Sequence, residues 1–273
     1  MNSLPNTFVT DQALESGPQD GVDRHRNPVT TPSEIDRRLL ALYSQPIVRT
    51  TDPDEKTLRA EILIAVVDGE RKVLPAAQFL RSAQKKGLSE FIDRFVVSEV
   101  VDYLVERSIR GLAPMTMCNV NLTGSSLSNP LFEDFLLREI ARLARPQQLC
   151  FEITETELIT NLHATAELMG RLKQLGCRFA LDDFGTGFCS FEYLRHLPVD
   201  FLKIDGQFIR ETPKRSLEYE MVSSMGVLAR KLGMQTIAEF VETDDIFATV
   251  REMGIDFCQG FLFGRPTPVH SIV

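Results

Sequence analysis

Eight short apolar runs, separated by longer segments with helical periodicity, constrain the fold of this chain more than any other feature of its sequence. The runs are rich in β-branched and aromatic residues, and each is bounded by polar or turn-forming residues, which is typical of buried strands. Their positions are Leu40–Val48, Ala60–Val67, Met115–Leu122, Leu149–Ile153, Arg178–Leu181, Phe201–Ile204, Thr236–Phe240 and Phe257–Phe263.

The segments between the later runs have the spacing of amphipathic helices. In 88–109, apolar residues recur at Ile92, Val96, Val100 and Tyr103, and similar patterns occupy 130–145, 156–176 and 215–233. Eight strands that alternate with helices predict an α/β fold of the (β/α)8 type, a TIM-like barrel. The first two runs are joined only by a turn-like stretch at 51–54, too short for a crossover helix. We therefore expect one early strand to run antiparallel.

The first 34 residues are polar and poor in large apolar side chains, which predicts a flexible leader before a barrel domain at 35–273. A leader of this length is too short for a sensor or cyclase domain. The chain has no apolar run long enough to cross a bilayer, no signal-peptide core and five widely spaced cysteines. These features predict a cytoplasmic protein with reduced thiols and no membrane insertion.

The net charge of −8, from 38 acidic and 30 basic residues, argues against a duplex nucleic acid as ligand, because duplex-binding proteins present basic surfaces. A small phosphate ligand stays possible, since metal ions held by carboxylates reverse the local sign of charge. The location of the surplus acid therefore matters for function.

Acidic and amide side chains recur within or at the ends of the predicted strands, where the functional groups of such barrels lie. One acid in this position is most often solvated or caps the next helix, but five acids and an amide on successive strands point to a shared cation. Oxygen ligands without His or Cys favour Mg²⁺ or Mn²⁺ over Zn²⁺. The residues are Glu61, Asn121, Glu152, Asp182, Asp183 and Glu239.

The sharpest local motif is Asp182-Asp183-Phe184-Gly185-Thr186-Gly187. Two adjacent carboxylates at a strand end can serve two neighbouring ions, and a two-metal site can activate water for in-line attack on a phosphodiester. Lys203 would then position that water or neutralise charge on the phosphate. A kinase interpretation of Asp183-Phe184-Gly185 fails because the sequence has neither a glycine-rich nucleotide loop nor an HRD-type loop.

In order along the chain, these motifs resemble those of the EAL-domain family of cyclic-di-GMP phosphodiesterases. The resemblance covers roughly Leu40 to Pro268. The motifs are Gln45-Pro46-Ile47, Glu61-Ile62-Leu63, Leu74-Pro75-x-x-x-Phe79, Asn119-Val120-Asn121-Leu122, Glu152-Ile153-Thr154-Glu155, the Asp182-Asp183 motif, Leu197-Pro198-Val199-Asp200-x-x-Lys203-Ile204-Asp205, Ala238-Glu239-Phe240-Val241-Glu242-Thr243 and Gln259-Gly260.

The resemblance implies hydrolysis of cyclic-di-GMP to linear pGpG with two Mg²⁺ or Mn²⁺ ions, in bacterial second-messenger signalling, by a homodimer. It implies that Glu61, Asn121, Glu152 and Asp182 hold the first ion and that Asp182, Asp183 and Glu239 serve the second. Catalytic roles fall to Glu239 and Lys203 at the attacking water, with support from Gln259. The implied substrate-binding residues are Gln45, Leu63 and Asp205, and the residues that order the loop after the aspartate pair are Glu155, Gly185, Thr186 and Gly187.

Three positions depart from the family pattern. Ile62 replaces alanine in the signature, Ala65 stands where active members usually carry a phosphate-binding arginine, and Phe240 replaces a glycine. Phe240 either crowds the site or points into the barrel wall. Loss of a charge-assisted hydrogen bond at Ala65 costs about 1.5–3 kcal/mol, so we expect low activity rather than none.

Three functions stay open from the sequence. The first is a cyclic-di-GMP phosphodiesterase. The second is a receptor that binds the dinucleotide and barely cleaves it. The third is a protein-interaction module with a regulatory protein partner.

Overall fold

A computed structural model gives the architecture of the chain over residues 36–68, 70, 72–74, 76–160, 162–186, 194–195, 197–214 and 216–272. The predicted leader at 1–34, Gly187 and Cys189 lie outside the described residues. In the described part of the chain, no helix has the length and apolar character needed to span a membrane. The other four cysteines, Cys118, Cys150, Cys177 and Cys258, are buried free thiols, as predicted.

The described strands form a closed eight-stranded barrel, which confirms the predicted fold class. Strands β2 and β4 to β9 run parallel to one another around the barrel, and β1 closes it by pairing antiparallel with both β2 and β9. Two short strands, β3 and β10, pair with the outer parts of β2 and β1. The bounds are β1 Leu40–Arg49, β2 Arg59–Val67, β3 Val73–Leu74, β4 Met117–Asn121, β5 Leu149–Thr154, β6 Arg178–Phe184, β7 Phe201–Ile204, β8 Gln235–Ala238, β9 Phe257–Gln259 and β10 Thr267–Pro268.

The helices pack on the outside of the barrel, and a large apolar core lies between them and the strands. The segment predicted at 156–176 is helical over Glu155–Thr160 and Leu162–Gln174, with residue 161 outside the described part of the chain, and the helix predicted at 130–145 ends at Ile140. The helices are α1 Ala76–Lys85, α2 Ser89–Ile109, α3 Gly124–Leu127, α4 Pro130–Ile140, α5 Glu155–Thr160, α6 Leu162–Gln174, α7 Gly206–Ile209, α8 Leu217–Lys231 and α9 Asp244–Glu252.

The reversed direction of β1 confirms the expectation of an early antiparallel strand. Its register places Gln45 opposite Glu61 on β2 and Ile47 opposite Gln259 on β9. The antiparallel first strand therefore brings Gln45 beside Glu61 on β2 and within hydrogen-bond distance of Gln259, the last residue of β9.

Three predicted strands end before their apolar runs do: β4 stops one residue early, at Asn121, and the other two stop earlier still. The run at Phe257–Phe263 leaves the sheet after Gln259, because the backbone at Gly260 approaches Val241 so closely that a Cβ there would lie 2.1 Å from the Val241 carbonyl oxygen. The strand predicted to reach Phe240 ends at Ala238, and Phe240 has a φ of 53°, which is incompatible with extended backbone.

Candidate metal centre at the barrel mouth

Inside the barrel, an apolar floor lies beneath a polar layer. The floor is a buried cluster with one residue from each of seven strands: Ile47, Met117, Cys150, Ala180, Phe201, Ile237 and Phe257. Because side chains on one face of a strand repeat every two residues, the next inward position toward the mouth lies two residues further along each parallel strand. On β1, which runs the other way, it lies two residues earlier.

These inward positions are all polar, and six of them were predicted as site residues from the sequence alone. Together with Glu61 on β2, they give one polar side chain per barrel strand, and every one is at least nine-tenths buried. The layer consists of Gln45, Glu61, Asn119, Glu152, Asp182, Lys203, Glu239 and Gln259.

Lys203 lies at the centre of this layer. Its Nζ is 2.7 Å from Glu152 Oε2, 2.9 Å from Glu239 Oε1 and 3.1 Å from Asp182 Oδ1, with Glu61 Oε2 further off at 3.4 Å. The side chain is fully buried. Burial lowers the pKa of Lys203, but the four carboxylates, Asp182 foremost, raise it well above its usual value. The four carboxylates therefore favour the charged form of the lysine.

One ammonium does not balance the carboxylates around it. Asp182 is buried, and neither of its oxygens accepts a hydrogen bond, although Oδ1 lies within ion-pair distance of Lys203. Buried carboxylate oxygens without donors are costly unless a cation is present. Burial, with repulsion from neighbouring acids, also raises the pKa of Glu152 and of Glu239 well above the usual value. The layer has an unmet demand for positive charge.

Asp183 adds a further carboxylate to this site, nearer the barrel mouth. Carboxylate oxygens of Asp182, Asp183 and Glu239 lie within 4.8 Å of one another, a spacing that can hold a metal ion. Burial, then the charge of Asp182, raises the pKa of Asp183 to about 8. Its backbone is in the left-handed region, with a φ of 54°, a conformation that few non-glycine residues adopt. The unbonded oxygens of Asp182 and this all-oxygen donor set fit a hard divalent cation.

Amide side chains fix the orientation of two glutamates. Asn121 Nδ2 donates to Glu61 Oε1 at 2.8 Å, and Gln259 Nε2 donates to Glu61 Oε2 at 2.8 Å and to Gln45 Oε1 at 3.1 Å. Gln45 in turn donates to the Gly264 carbonyl. Asn119 Nδ2 donates to Glu152 Oε1 at 2.5 Å. The structure thus brings Asn121 and Gln259, predicted separately, to the Glu61 carboxylate, and it places Gln45 against the Gln259 amide.

The sequence profile of the EAL domain matches residues 30–266 of this chain. The chain belongs to the EAL domain family.

Several EAL proteins resemble this one over most of its length. The cyclic di-GMP phosphodiesterase PdeB of Shewanella oneidensis is 37% identical over 239 residues, which are 87% of this chain and 28% of the relative. The cyclic di-GMP phosphodiesterase PdeA of Borreliella burgdorferi is 32% identical and matches 86% of this chain and 35% of its own. The chain thus spans about a third or less of these relatives.

Solved EAL structures share the fold. The PaMucR phosphodiesterase in complex with c-di-GMP superposes with a TM-score of 0.79 at 30% identity, over 87% of this chain and 95% of that one. The FimX EAL domain of Pseudomonas aeruginosa bound to c-di-GMP gives a TM-score of 0.75 at 27% identity, over 84% of this chain and 91% of that one.

The loop after the aspartate pair is tied to α5 in this EAL domain. Glu155 Oε2 accepts a hydrogen bond from the Gly185 backbone N–H at 3.3 Å, and the Thr186 hydroxyl donates to the Asp183 carbonyl at 2.8 Å. Gly185 has a φ of 96°, and a Cβ there would lie 2.7 Å from Met225. Glu155, Gly185 and Thr186, predicted as loop-ordering residues, therefore all take part in contacts within or onto this loop.

Two predicted substrate-binding residues have different surroundings. Asp205 lies just beyond β7 rather than on it, and its Oδ1 accepts from the Gln207 N–H at 2.7 Å, so it caps α7. Leu63 is buried with Ala65 against Tyr43, Val73 and Phe261. Apolar and aromatic side chains therefore pack around Ala65, the position where active family members usually carry an arginine.

Phe240 neither fills the polar layer nor lies in a strand. Its ring packs on Gly206, where an added Cβ would lie 2.2 Å from the ring, and the Arg210 guanidinium lies 4.3 Å from the ring centroid. A positive φ is unusual for a bulky residue, so this packing must outweigh the backbone strain. The ring therefore lies against the start of α7, next in the chain to Asp205.

Sequence reasoning missed Asn119 as a site residue, although the residue stood in a quoted motif. The signal was present in the spacing, because Asn119 lies two residues before Asn121 on β4 and shares its strand face. Its side chain points inward beside Glu152, from the middle of β4 rather than from the end of the strand.

Proposed function

We propose that this EAL domain hydrolyses cyclic-di-GMP to linear pGpG with two Mg²⁺ or Mn²⁺ ions at the barrel mouth. The observation that carries the proposal is the buried Asp182 carboxylate, whose two oxygens accept no hydrogen bond while three further carboxylates share a single ammonium with it. Relatives and solved EAL structures that act on or bind c-di-GMP support the choice of substrate.

Asp182 belongs to both proposed ligand sets. Glu61, Asn121 and Glu152 would hold the first ion together with it, and Asp183 and Glu239 would hold the second ion together with it. Bound divalent cations supply an activated water and stabilise negative charge on phosphate.

The chain's own residues position the reaction around those ions. Lys203, fixed by its carboxylate contacts, would orient the attacking water and stabilise charge on the phosphate, and Glu239 would accept the water's proton. Gln259 would support the water from the β9 side through its hydrogen bond to Glu61. Attack at one phosphorus breaks one phosphate–ribose bond and opens the ring, which gives a linear dinucleotide.

Around the substrate, we propose contacts with Gln45, Leu63 and Asp205. Glu155, Gly185, Thr186 and Gly187 would order the loop that shapes a homodimer interface. We further propose a cytoplasmic location, with residues 35–273 as the EAL barrel and 1–34 as its leader.

A receptor role is the second candidate, and Ala65 bears on it in two ways. The position is fully buried among apolar and aromatic side chains, so it supplies no cation for a phosphate. The missing cation would lower turnover, which motivates a receptor, but it would also weaken binding of the dinucleotide, which a receptor needs more than an enzyme does. A regulatory protein partner would read the bound state.

One assay separates these functions. Purified protein is incubated with cyclic-di-GMP and Mg²⁺ or Mn²⁺, and pGpG is followed by chromatography. We expect product from the unaltered chain and from Glu99→Gln, an exposed acid on α2, and none from Glu61→Gln. Binding in Ca²⁺ without turnover in Mn²⁺ would favour the receptor, and no binding with any metal would contradict both.

A further inference from the structure

A second cavity lies at the end of the barrel opposite the metal centre. It has a volume of about 400 Å³ and is formed by the carboxyl end of α2, the segment that leads into β4 and the connection from α4 to β5. These are the amino ends of the barrel strands, whereas the polar layer lies toward their carboxyl ends. The volume falls in the range of small-molecule sites in proteins, roughly 300–1,000 Å³.

The charge of this cavity opposes that of the whole chain. Three arginines, Arg107, Arg142 and Arg145, line it, and the described residues of its lining include no aspartate or glutamate. This occurs in a chain with 38 acidic and 30 basic residues. Arg142 is paired with Asp102 and Glu139, which lie outside the lining. Arg145 forms no ion pair among the described residues.

Arg107 is a buried charge with no carboxylate partner among the described residues. It is 3% exposed, yet Nη1 donates only to the Tyr103 hydroxyl at 3.0 Å and the Ile272 carbonyl at 2.8 Å, and Nη2 donates to the Ala113 carbonyl at 2.7 Å. Its Nε has no partner. Every described acceptor is neutral, and a buried guanidinium without a carboxylate is costly.

The helix end explains part of this arrangement but not all of it. The carboxyl end of α2 favours a nearby cation, which accounts for an arginine close to Ala113. It does not account for Arg145, which belongs to a different segment, or for the absence of acids from the lining. The walls add apolar surface from Leu104, Leu112 and Leu143.

We propose that this cavity is a second ligand site, which takes a small organic anion with a phosphate or carboxylate at the arginines and an apolar body against the leucines. The proposal does not depend on hydrolysis at the barrel mouth. It assigns the buried guanidinium of Arg107 and the exposed guanidinium of Arg145 at the rim, unpaired among the described residues, to recognition of an anion.

The chain contains no tryptophan, which permits a direct optical test. Ile109, 81% exposed at the cavity, is replaced in Ile109→Trp, and a matched reporter is placed on α4 by Leu131→Trp, at a residue 68% exposed that does not line the cavity. The probes are 1-naphthyl phosphate, 1-naphthoate and the neutral 1-naphthalenemethanol. Thermal unfolding of the unaltered chain with each probe provides a reading free of reporter effects.

We expect a saturable fluorescence change at position 109 only, with one or both anions, and a rise in Tm of the unaltered chain with the same anion. The tighter anion identifies the head group. Arg145→Gln should weaken binding about 10-fold or more, the size expected for a lost charge-assisted hydrogen bond, and the exposed control Arg81→Gln should leave it unchanged.

Three results would overturn the proposal. They are equal binding of the neutral alcohol, equal weakening by Arg145→Gln and Arg81→Gln, and no effect of either anion on fluorescence or on Tm.

Discussion

Two buried cations, Lys203 and Arg107, lie toward opposite ends of the same barrel in opposite surroundings. Lys203 has four carboxylates within 3.4 Å, whereas the described hydrogen-bond partners of Arg107 are a phenol and two backbone carbonyls. Among the described residues, Lys203 therefore has more negative charge around it than one ammonium balances, and Arg107 has no acid beside it. Because a buried charge without a counter-charge is costly, the mouth favours a further cation and the opposite end favours an anion.

The difference also shows how a barrel separates binding from folding. The apolar floor from Ile47 to Phe257 lies between the polar layer and the opposite end, so the strands can carry charge at the mouth without weakening the interior below it. The acid surplus of the sequence is thus partly a property of one site.

The largest effect should come from removing the central ammonium. At pH 8 in EDTA, Lys203→Met leaves the carboxylates of the polar layer without a cation, and we expect the free energy of unfolding to fall by about 3–5 kcal/mol. Saturating Mn²⁺ should recover most of this loss. Denaturant unfolding with and without metal measures both quantities.

Arg107→Met is the matched comparison. It leaves only neutral acceptors unsatisfied, so its loss should be smaller, about 1–3 kcal/mol, with no recovery in Mn²⁺. Equal losses in the two variants, or recovery by metal in both, would break the contrast between the two ends.

A buried acid with neutral partners provides an intermediate case. Asp93 on α2 accepts hydrogen bonds from the Thr123 N–H, the Thr123 hydroxyl and the Ser126 hydroxyl, and burial raises its pKa to about 6. Between pH 4 and 6 the folded state therefore holds a proton that the unfolded chain has lost, so this group makes stability fall as pH rises.

Asp93→Asn should remove this contribution. The rise in the Asp93 pKa from 3.8 to about 6 corresponds to a loss of at most about 3 kcal/mol of unfolding free energy between pH 4 and pH 7. The stability of the variant should therefore fall less steeply over this range than that of the unaltered chain. Unfolding in urea at several pH values measures the slope. A variant slope as steep as the original would show that Asp93 does not titrate as described.

The smallest effect concerns Asn119, the site residue that the sequence reasoning missed. Asn119→Ala removes the donor to Glu152, and loss of such an outer partner typically weakens metal affinity by roughly 10–100-fold. Calorimetry with Mn²⁺ measures it. Cys118→Ala, at the neighbouring residue whose side chain packs in the outer core, is the control and should retain normal affinity.

Much of the site could be predicted because it follows a two-residue period on strands that the apolar runs already located. Glu152 and Lys203 stand out as polar residues within such runs, and Asp182 directly follows one. The ends of elements were harder. Strand β8 stops before Phe240 because of a positive φ, and β9 stops at Gln259 because of a close backbone approach at Gly260. Both depend on contacts between distant segments, which one sequence does not display.

The cavity at the opposite end was not predictable for a related reason. Arg107 and Arg145 belong to different segments, and arginines near helix ends are common on protein surfaces. Only the fold shows that one is buried with no carboxylate partner among the described residues and that both line the same space.

The central claim is that the surplus acid at the mouth is a metal centre that acts on cyclic-di-GMP. Its most direct test is pGpG formation by enzyme in excess over substrate, as Mn²⁺ is raised from zero after chelation. We expect no product without metal and a rate of product formation that rises and saturates with Mn²⁺. In Asp182→Asn the rate should drop by more than roughly 100-fold, the upper range for residues that only contact a metal ligand. Product that forms equally without metal, or no product at any Mn²⁺ concentration, would contradict it.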